Sequence, residues 1–267
     1  MADVENFFKL ISLSLIKYED PRTKDWFLVQ SFSPVLIICL VYLFIVKILV
    51  PKLVEKRKPV ELKKTLIVYN FFQIGFSCWL FYGFASNGWL SGDYSFVCQP
   101  IDVSSTPKAM QMAAFTWWYY MSKLTELVET IFFILRKKFK QVNFLHVYHH
   151  TIMIVSGYVA TKYYPTGHGT FAGLVNTFIH IVMYSYYLLS AFGPNVQKYL
   201  WWKKYITTLQ LVQFVIVTTH DLLLVTSHCQ FPRIFAWYMI LLSLSFYVLF
   251  RNFYNQTYRE KRVEKDY

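Results

Sequence analysis

The sequence predicts an all-α integral membrane protein with seven transmembrane helices. Three observations carry that reading: an apolar, aromatic composition, seven apolar stretches of spanning length, and basic residues concentrated in alternate connections. Of 267 residues, 55% are hydrophobic, 20% aromatic and only 16% charged, which overrides the prior of one or two soluble domains. The net charge of +12 would by itself suit a nucleic-acid binder. The basic residues fall between apolar stretches, however, so membrane topology accounts for them first and a phosphorylated substrate second. No nucleic-acid partner is expected.

Taken in order, residues 1–27 are expected to be a luminal segment with an interfacial helix. The run from Phe7 to Ile16 contains Lys9 and leads into Tyr18-Glu19-Asp20 rather than a small-residue cleavage site, so the first span would act as an uncleaved anchor. Spans are expected at 28–50, 65–84, 112–135, 144–163, 170–192, 205–226 and 234–253, each near the ~20 residues a bilayer core requires. Pro51, Pro59, Pro107, Tyr164-Pro165-Thr166-Gly167, Gly193-Pro194 and Pro232 punctuate them. The seven make one membrane domain, 28–253, followed by a basic tail, 254–267.

Loop charge gives the orientation. The first loop holds Lys52, Lys56, Arg57, Lys58, Lys63 and Lys64; the third Arg136, Lys137, Lys138 and Lys140; the fifth Lys198, Lys203 and Lys204. The tail adds Arg251, Arg259, Lys261, Arg262 and Lys265, while the intervening loops hold only Lys108, Lys162 and Arg233. Odd loops and the C-terminus are therefore expected in the cytosol and the N-terminus on the far side. Cys98 and Cys229 then share the far side, where an oxidising lumen would let them pair. The sequon Asn255-Gln256-Thr257 falls in the cytosol and is expected to stay unglycosylated.

Polar residues inside the spans mark a pocket. Lys123, Glu126 and Glu129 lie at helical spacing in the third span. The fourth opens with His146-Val-Tyr-His149-His150, three of the chain's seven histidines. The fifth carries Asn176, His180, Tyr184 and Tyr187 on one face, and the sixth Thr207, Gln210 and Gln213. Taken singly, each suits an interhelical hydrogen bond. Together they are costly to bury without a function, which points to a pocket opening to the cytosol. His168 and His228 are expected to be solvated in far-side loops, and His220-Asp221 to cap the helix or pair locally.

An HxxHH box has two chemical meanings. Non-haem iron needs several ligands, yet outside the box only His168, His180, His220 and His228 remain, without a second cluster. A neutral imidazole can instead accept an acyl group or remove a proton, with Glu126 or Glu129 orienting a ring. Lys123 and Asn176, with tyrosine and glutamine side chains, would stabilise an oxyanion. Acyl transfer is the reading favoured, and no metal or other cofactor is expected.

These motifs resemble the very-long-chain fatty acid elongases, the 3-oxoacyl-CoA synthases of the endoplasmic reticulum. The resemblance rests on Lys123-Leu-Thr-Glu126-Leu-Val-Glu129-Thr130, the histidine box, Asn176-Thr-Phe-Ile-His180-Ile-Val-Met183-Tyr184-Ser-Tyr186-Tyr187 and Thr207-Thr-Leu-Gln210-Leu-Val-Gln213. Gln141-Val-Asn-Phe-Leu-His146-Val-Tyr is similar to the HVYHH branch of that family rather than the HWYHH branch. Two positions depart from the pattern: Glu129 stands where the family usually has Asp, and the tail keeps one lysine, Lys265, of a dilysine signal.

The resemblance implies condensation of a long-chain acyl-CoA with malonyl-CoA to give a 3-oxoacyl-CoA, CoA and CO2. It implies six helices around a closed acyl tunnel, in two inverted three-helix units, with one peripheral helix. His149 would be the nucleophile, His150 or His180 its partner, and His146 chiefly structural. Without a covalent intermediate, the histidines would act as bases or position malonate. Tyr184, Tyr187, Gln210 and Gln213 would meet substrate, and Lys137, Lys204 and Arg251 the CoA phosphates. Membrane lipids and the reductases and dehydratase of the elongation cycle are the implied partners, with room for a homo-oligomer. The remote alternatives are a di-iron desaturase or hydroxylase and a lipid transporter.

Overall fold

A computed structural model describes residues 18–259. The interfacial helix expected within 7–16 and most of the basic tail lie outside the described residues. All regular structure among the described residues is helical. The long helices are α1 (Ser33–Val54), α2 (Lys63–Trp89), α3 (Pro107–Leu135), α4 (Phe144–Tyr163), α5 (Thr170–Ala191), α6 (Lys203–Thr226) and α7 (Arg233–Tyr258). Five of them, α1, α2, α5, α6 and α7, are long and apolar enough to cross a membrane. The other two carry the charged face of α3 and the histidine box of α4.

Both ends of the first helix differ from the sequence reading for local reasons. The first helix starts at Ser33 rather than 28, because Leu28 takes a left-handed φ of 61° and residues 21–30 form turns. Pro34 then occupies the first turn, where its missing N–H costs nothing. The same helix does not stop before Pro51. It widens into a π turn over Ile45–Leu49, with the Val50 N–H reaching back to the Ile45 carbonyl, and runs on to Val54. The wide turn makes room for the proline ring, which would clash with the carbonyl four residues earlier. At the other end, α7 continues through the sequon and the start of the expected tail.

Packing closes six of the helices into a ring: α2 lies against α5, α5 against α6, α6 against α7, α7 against α4, α4 against α3, and α3 against α2. Outside it, α1 packs on α3 and α4, joined by the Tyr42, Val46, Ile134 and Val147 cluster. Gly157 allows the closest approach of α4 to α3, since a Cβ there would sit 2.7 Å from the Tyr120 ring and 3.2 Å from its Cα.

One end of the ring is covered by a bound loop. Cys98 and Cys229 form a disulfide with Cα atoms 5.4 Å apart. The His168 N–H donates to the Gln99 carbonyl at 2.9 Å, and the Asp102 N–H to Thr166 Oγ1 at 3.0 Å. The connection between α2 and α3 is thereby fastened to the turn between α4 and α5.

Candidate active site

The ring encloses a cavity of about 1370 Å³ lined by α2 to α7 and by no residue of α1. One end opens among Lys58, Lys63, Arg136, Lys138, Lys140 and Lys203; the other ends at Phe84, Thr116, Tyr164 and Thr170, all buried. Between these ends lie the histidine box, Glu126, Glu129, Asn176 and His180.

The box is positioned by a helix start. Asn143 caps α4, its Oδ1 accepting from the His146 N–H at 2.9 Å, so all three histidines fall in the first two turns. The positive end of the helix dipole there favours any negative charge that develops. His146 Nε2 is 2.8 Å from Thr130 Oγ1, which is 2.9 Å from the Tyr42 hydroxyl. That chain anchors His146 to α1 and α3. His150 Nε2 faces Glu129 Oε2 at 3.7 Å, beyond hydrogen-bond range. His149 faces the cavity with its ring 5.2 Å from Phe246 and 5.3 Å from His150.

Across from the box, one carboxylate oxygen organises polar groups of two helices, α3 and α5. Glu126 Oε1 lies 2.7 Å from Lys123 Nζ and 3.2 Å from His180 Nδ1. Lys123 also donates to Asn176 Oδ1 at 3.1 Å, and the Tyr119 hydroxyl donates to the same oxygen at 2.8 Å. Two donors on Oδ1 fix the amide orientation, leaving Asn176 Nδ2 as the donor for the cavity it lines. Lys123 and Glu126 are almost wholly buried, and each satisfies the other's charge.

The substrate-binding candidates divide. Tyr184, Tyr187, Gln210 and Gln213 all line the cavity; Gln210 Nε2 lies 3.7 Å from Met183 Sδ, and Gln213 Oε1 is buried without a partner. Lys137, Lys204 and Arg251 do not line it. Lys137 adopts a left-handed φ of 55° just past α3, where the Lys138 N–H reaches Phe133 O and the Lys137 N–H reaches Ile134 O. This is a Schellman end, and it aims the Lys137 ammonium at the Glu55 carbonyl, 3.0 Å away. Lys204 lies over the Tyr205 ring. Helix ends, which sequence spacing does not resolve, decided which basic residues reach the mouth.

Sequence reasoning passed over the α2 contribution. Tyr69 and Asn70 line the cavity, and buried Gln73 donates to the Tyr69 hydroxyl at 3.1 Å and accepts from Thr125 Oγ1 at 3.3 Å. Asn70 and Gln73 sit three apart in an otherwise apolar stretch, the signal that could have found them. His168 is another correction. It is buried and stacked on His220 rather than solvated, because the bound loop covers that end. Metal-ligating geometry occurs among the described residues in two trios, Glu129–His146–His150 and His168–His220–Asp221.

Comparison with known proteins gives a consistent set of relatives. The ELO: GNS1/SUR4 family matches residues 27–266. A very long chain fatty acid elongase of Aedes aegypti is 52% identical over 259 residues, 97% of this chain and 72% of that protein. Very long chain fatty acid elongase 7 of Drosophila melanogaster is 51% identical over 248 residues, 92% of this chain and 75% of that protein. Very long chain fatty acid elongase 7 of Rattus norvegicus is 48% identical over 246 residues, 91% of this chain and 87% of that protein.

Proposed function

Because the chain belongs to the ELO family of very long chain fatty acid elongases, we propose that it is a 3-oxoacyl-CoA synthase, joining a long-chain acyl-CoA to malonyl-CoA. The observation that carries this reading is the single cavity that joins a basic mouth, a histidine and carboxylate centre and a closed end. CoA phosphates suit the mouth, the thioester the centre, and the alkyl chain the interior.

The reaction proceeds in two steps. A ring nitrogen of neutral His149, open to the cavity, attacks the thioester carbonyl. The oxyanion takes hydrogen bonds from Asn176 Nδ2, and CoA leaves as thiolate, giving an acyl-imidazole. The proton lost from the imidazole passes to the thiolate. Malonyl-CoA then enters the same mouth and loses CO2, and its carbanion attacks the acyl carbon. The C–N bond breaks, and the departing imidazolate takes up one proton from solvent by way of His180, restoring neutral His149 and releasing 3-oxoacyl-CoA. His180, held through Nδ1 by Glu126, presents Nε2 as the proton-transfer group. The chemistry asks for no metal or other cofactor.

All seven long helices span the endoplasmic reticulum membrane, with the N-terminus luminal, the C-terminus cytosolic, and the basic mouth on the cytosolic side where malonyl-CoA is supplied. The reductases and dehydratase of the cycle consume the product. The test is mass spectrometry of purified protein incubated with acyl-CoA alone: release of CoA with an acyl group on His149 is expected. CoA retained until malonyl-CoA is added would instead support histidine acting only as a base. A product lengthened by two carbons from labelled malonyl-CoA separates condensation from desaturation or transport.

A further inference from the structure

At the closed end of the ring, opposite the histidine box, His168 and His220 stack face to face with centroids 3.7 Å apart. Phe171 and Trp89 pack on the His220 ring at 4.0 and 5.3 Å, and Phe231 lies 6.0 Å from His168. His168, His220 and Asp221 are 1%, 6% and 3% exposed. His168 Nε2 is 3.1 Å from the His220 carbonyl oxygen. A carbonyl only accepts, so Nε2 carries the proton and Nδ1 presents a lone pair.

That lone pair has no partner, and neither does His220 Nε2. Four buried side-chain atoms lack a partner among the described residues, and three of them, counting the Tyr164 hydroxyl, lie at this end. Each such orphan gives up its hydration without gaining a partner, so a concentration of them asks for an occupant. One donor atom from each of His168, His220 and Asp221 lies within 4.8 Å of the others.

We propose that this cluster is a zinc-type divalent metal site, with His168 Nδ1, His220 Nε2 and an Asp221 carboxylate oxygen as its protein ligands. Two imidazoles and one carboxylate suit Zn2+ and its first-row neighbours, whereas Mg2+ and Ca2+ prefer all-oxygen sites. The His168 Nε2–H bonded to a backbone carbonyl is the outer contact that metal-binding histidines use to hold their tautomer. The stacked rings are within 9° of parallel, so an ion cannot lie in both ring planes at once. Binding therefore turns the His220 ring and draws the ligand atoms to about 3.4 Å apart, the spacing set by ~2.1 Å bonds in a tetrahedron. Water completes the fourth position. The ion would fasten α6 to the turn before α5, a structural role independent of the condensation chemistry.

The experiment uses the tag-free full chain, purified without chelator and equilibrated with Zn2+, then analysed for metal. One Zn2+ per chain is expected, retained in His150→Asn and lost in His168→Asn and in His220→Asn. Loss in His150→Asn with retention in His220→Asn would move the ion to the Glu129 trio and overturn the proposal. Co2+ added to metal-free wild-type protein keeps the question answerable if the variants fail to fold. Intense visible d–d bands at one equivalent, with a raised melting temperature, are expected. No bound metal and unchanged melting with Zn2+ or Co2+ would also overturn it.

Discussion

Glu126 on α3 holds His180 on α5 through a 3.2 Å contact from Oε1 to Nδ1. The two are 54 residues apart in sequence numbering, and they meet because both helices turn their polar faces into one cavity. A ring fixed at Nδ1 by a carboxylate has only Nε2 to offer a substrate. Glu126→Gln keeps the shape but removes the charge that supports imidazolium, so condensation should slow by about 10²–10⁴. His180→Asn should slow it comparably, and the double variant little further, since the pair acts as a unit. A steady-state assay with kcat and KM separated checks this; independent, multiplicative losses would show that the two do not act together.

Lys123→Met leaves the buried Glu126 carboxylate without its ammonium partner, with only the His180 contact remaining. The expected loss of stability is about 3–5 kcal/mol, read from thermal unfolding in detergent. Adding Glu126→Gln to the same chain should recover part of it, because the two side chains share one interaction. An additive double variant would contradict the pairing.

At the mouth, Lys138→Ala and Lys203→Ala should raise the KM for CoA thioesters about tenfold, from loss of one charge-assisted phosphate contact, with kcat little altered. Lys204→Ala and Arg251→Ala should leave KM near its original value, as neither lines the cavity. Assays at increasing salt give an independent reading, since exposed charge contacts weaken with screening.

Gly157→Ala tests the approach of α4 to α3. The added methyl would press on the Tyr120 ring and backbone, and helix backbones cannot part without moving the histidine box. Destabilisation of about 1–3 kcal/mol is expected, together with reduced activity.

Cys98→Ser removes the covalent link between two segments 131 residues apart. A loss of about 2–4 kcal/mol is expected, measured as a lower melting temperature. Reduction of the unmodified protein should add two hydrogens by mass and produce a similar drop in melting temperature.

Much of the polar face of the site was legible in sequence because helical spacing is local. Lys123, Glu126 and Glu129 had to share a face, as did Asn176, His180 and Tyr184, whatever surrounded them. Apolar length located the helices for the same reason, and the elongase motifs gave the family. Other features depended on what one segment does to another. Thr130 anchoring His146, the lysine and tyrosine pair on Asn176 Oδ1, and the Gln73 network of α2 are contacts across 16 to 57 positions. Lys137 fell out of the mouth because a left-handed residue ended α3 and turned its ammonium to Glu55. His168 was buried because a disulfide-bound loop lies over it. Local periodicity thus determined which residues face inward; only the closing of the ring decided which of them meet, because burial and partner geometry arise when distant helices pack.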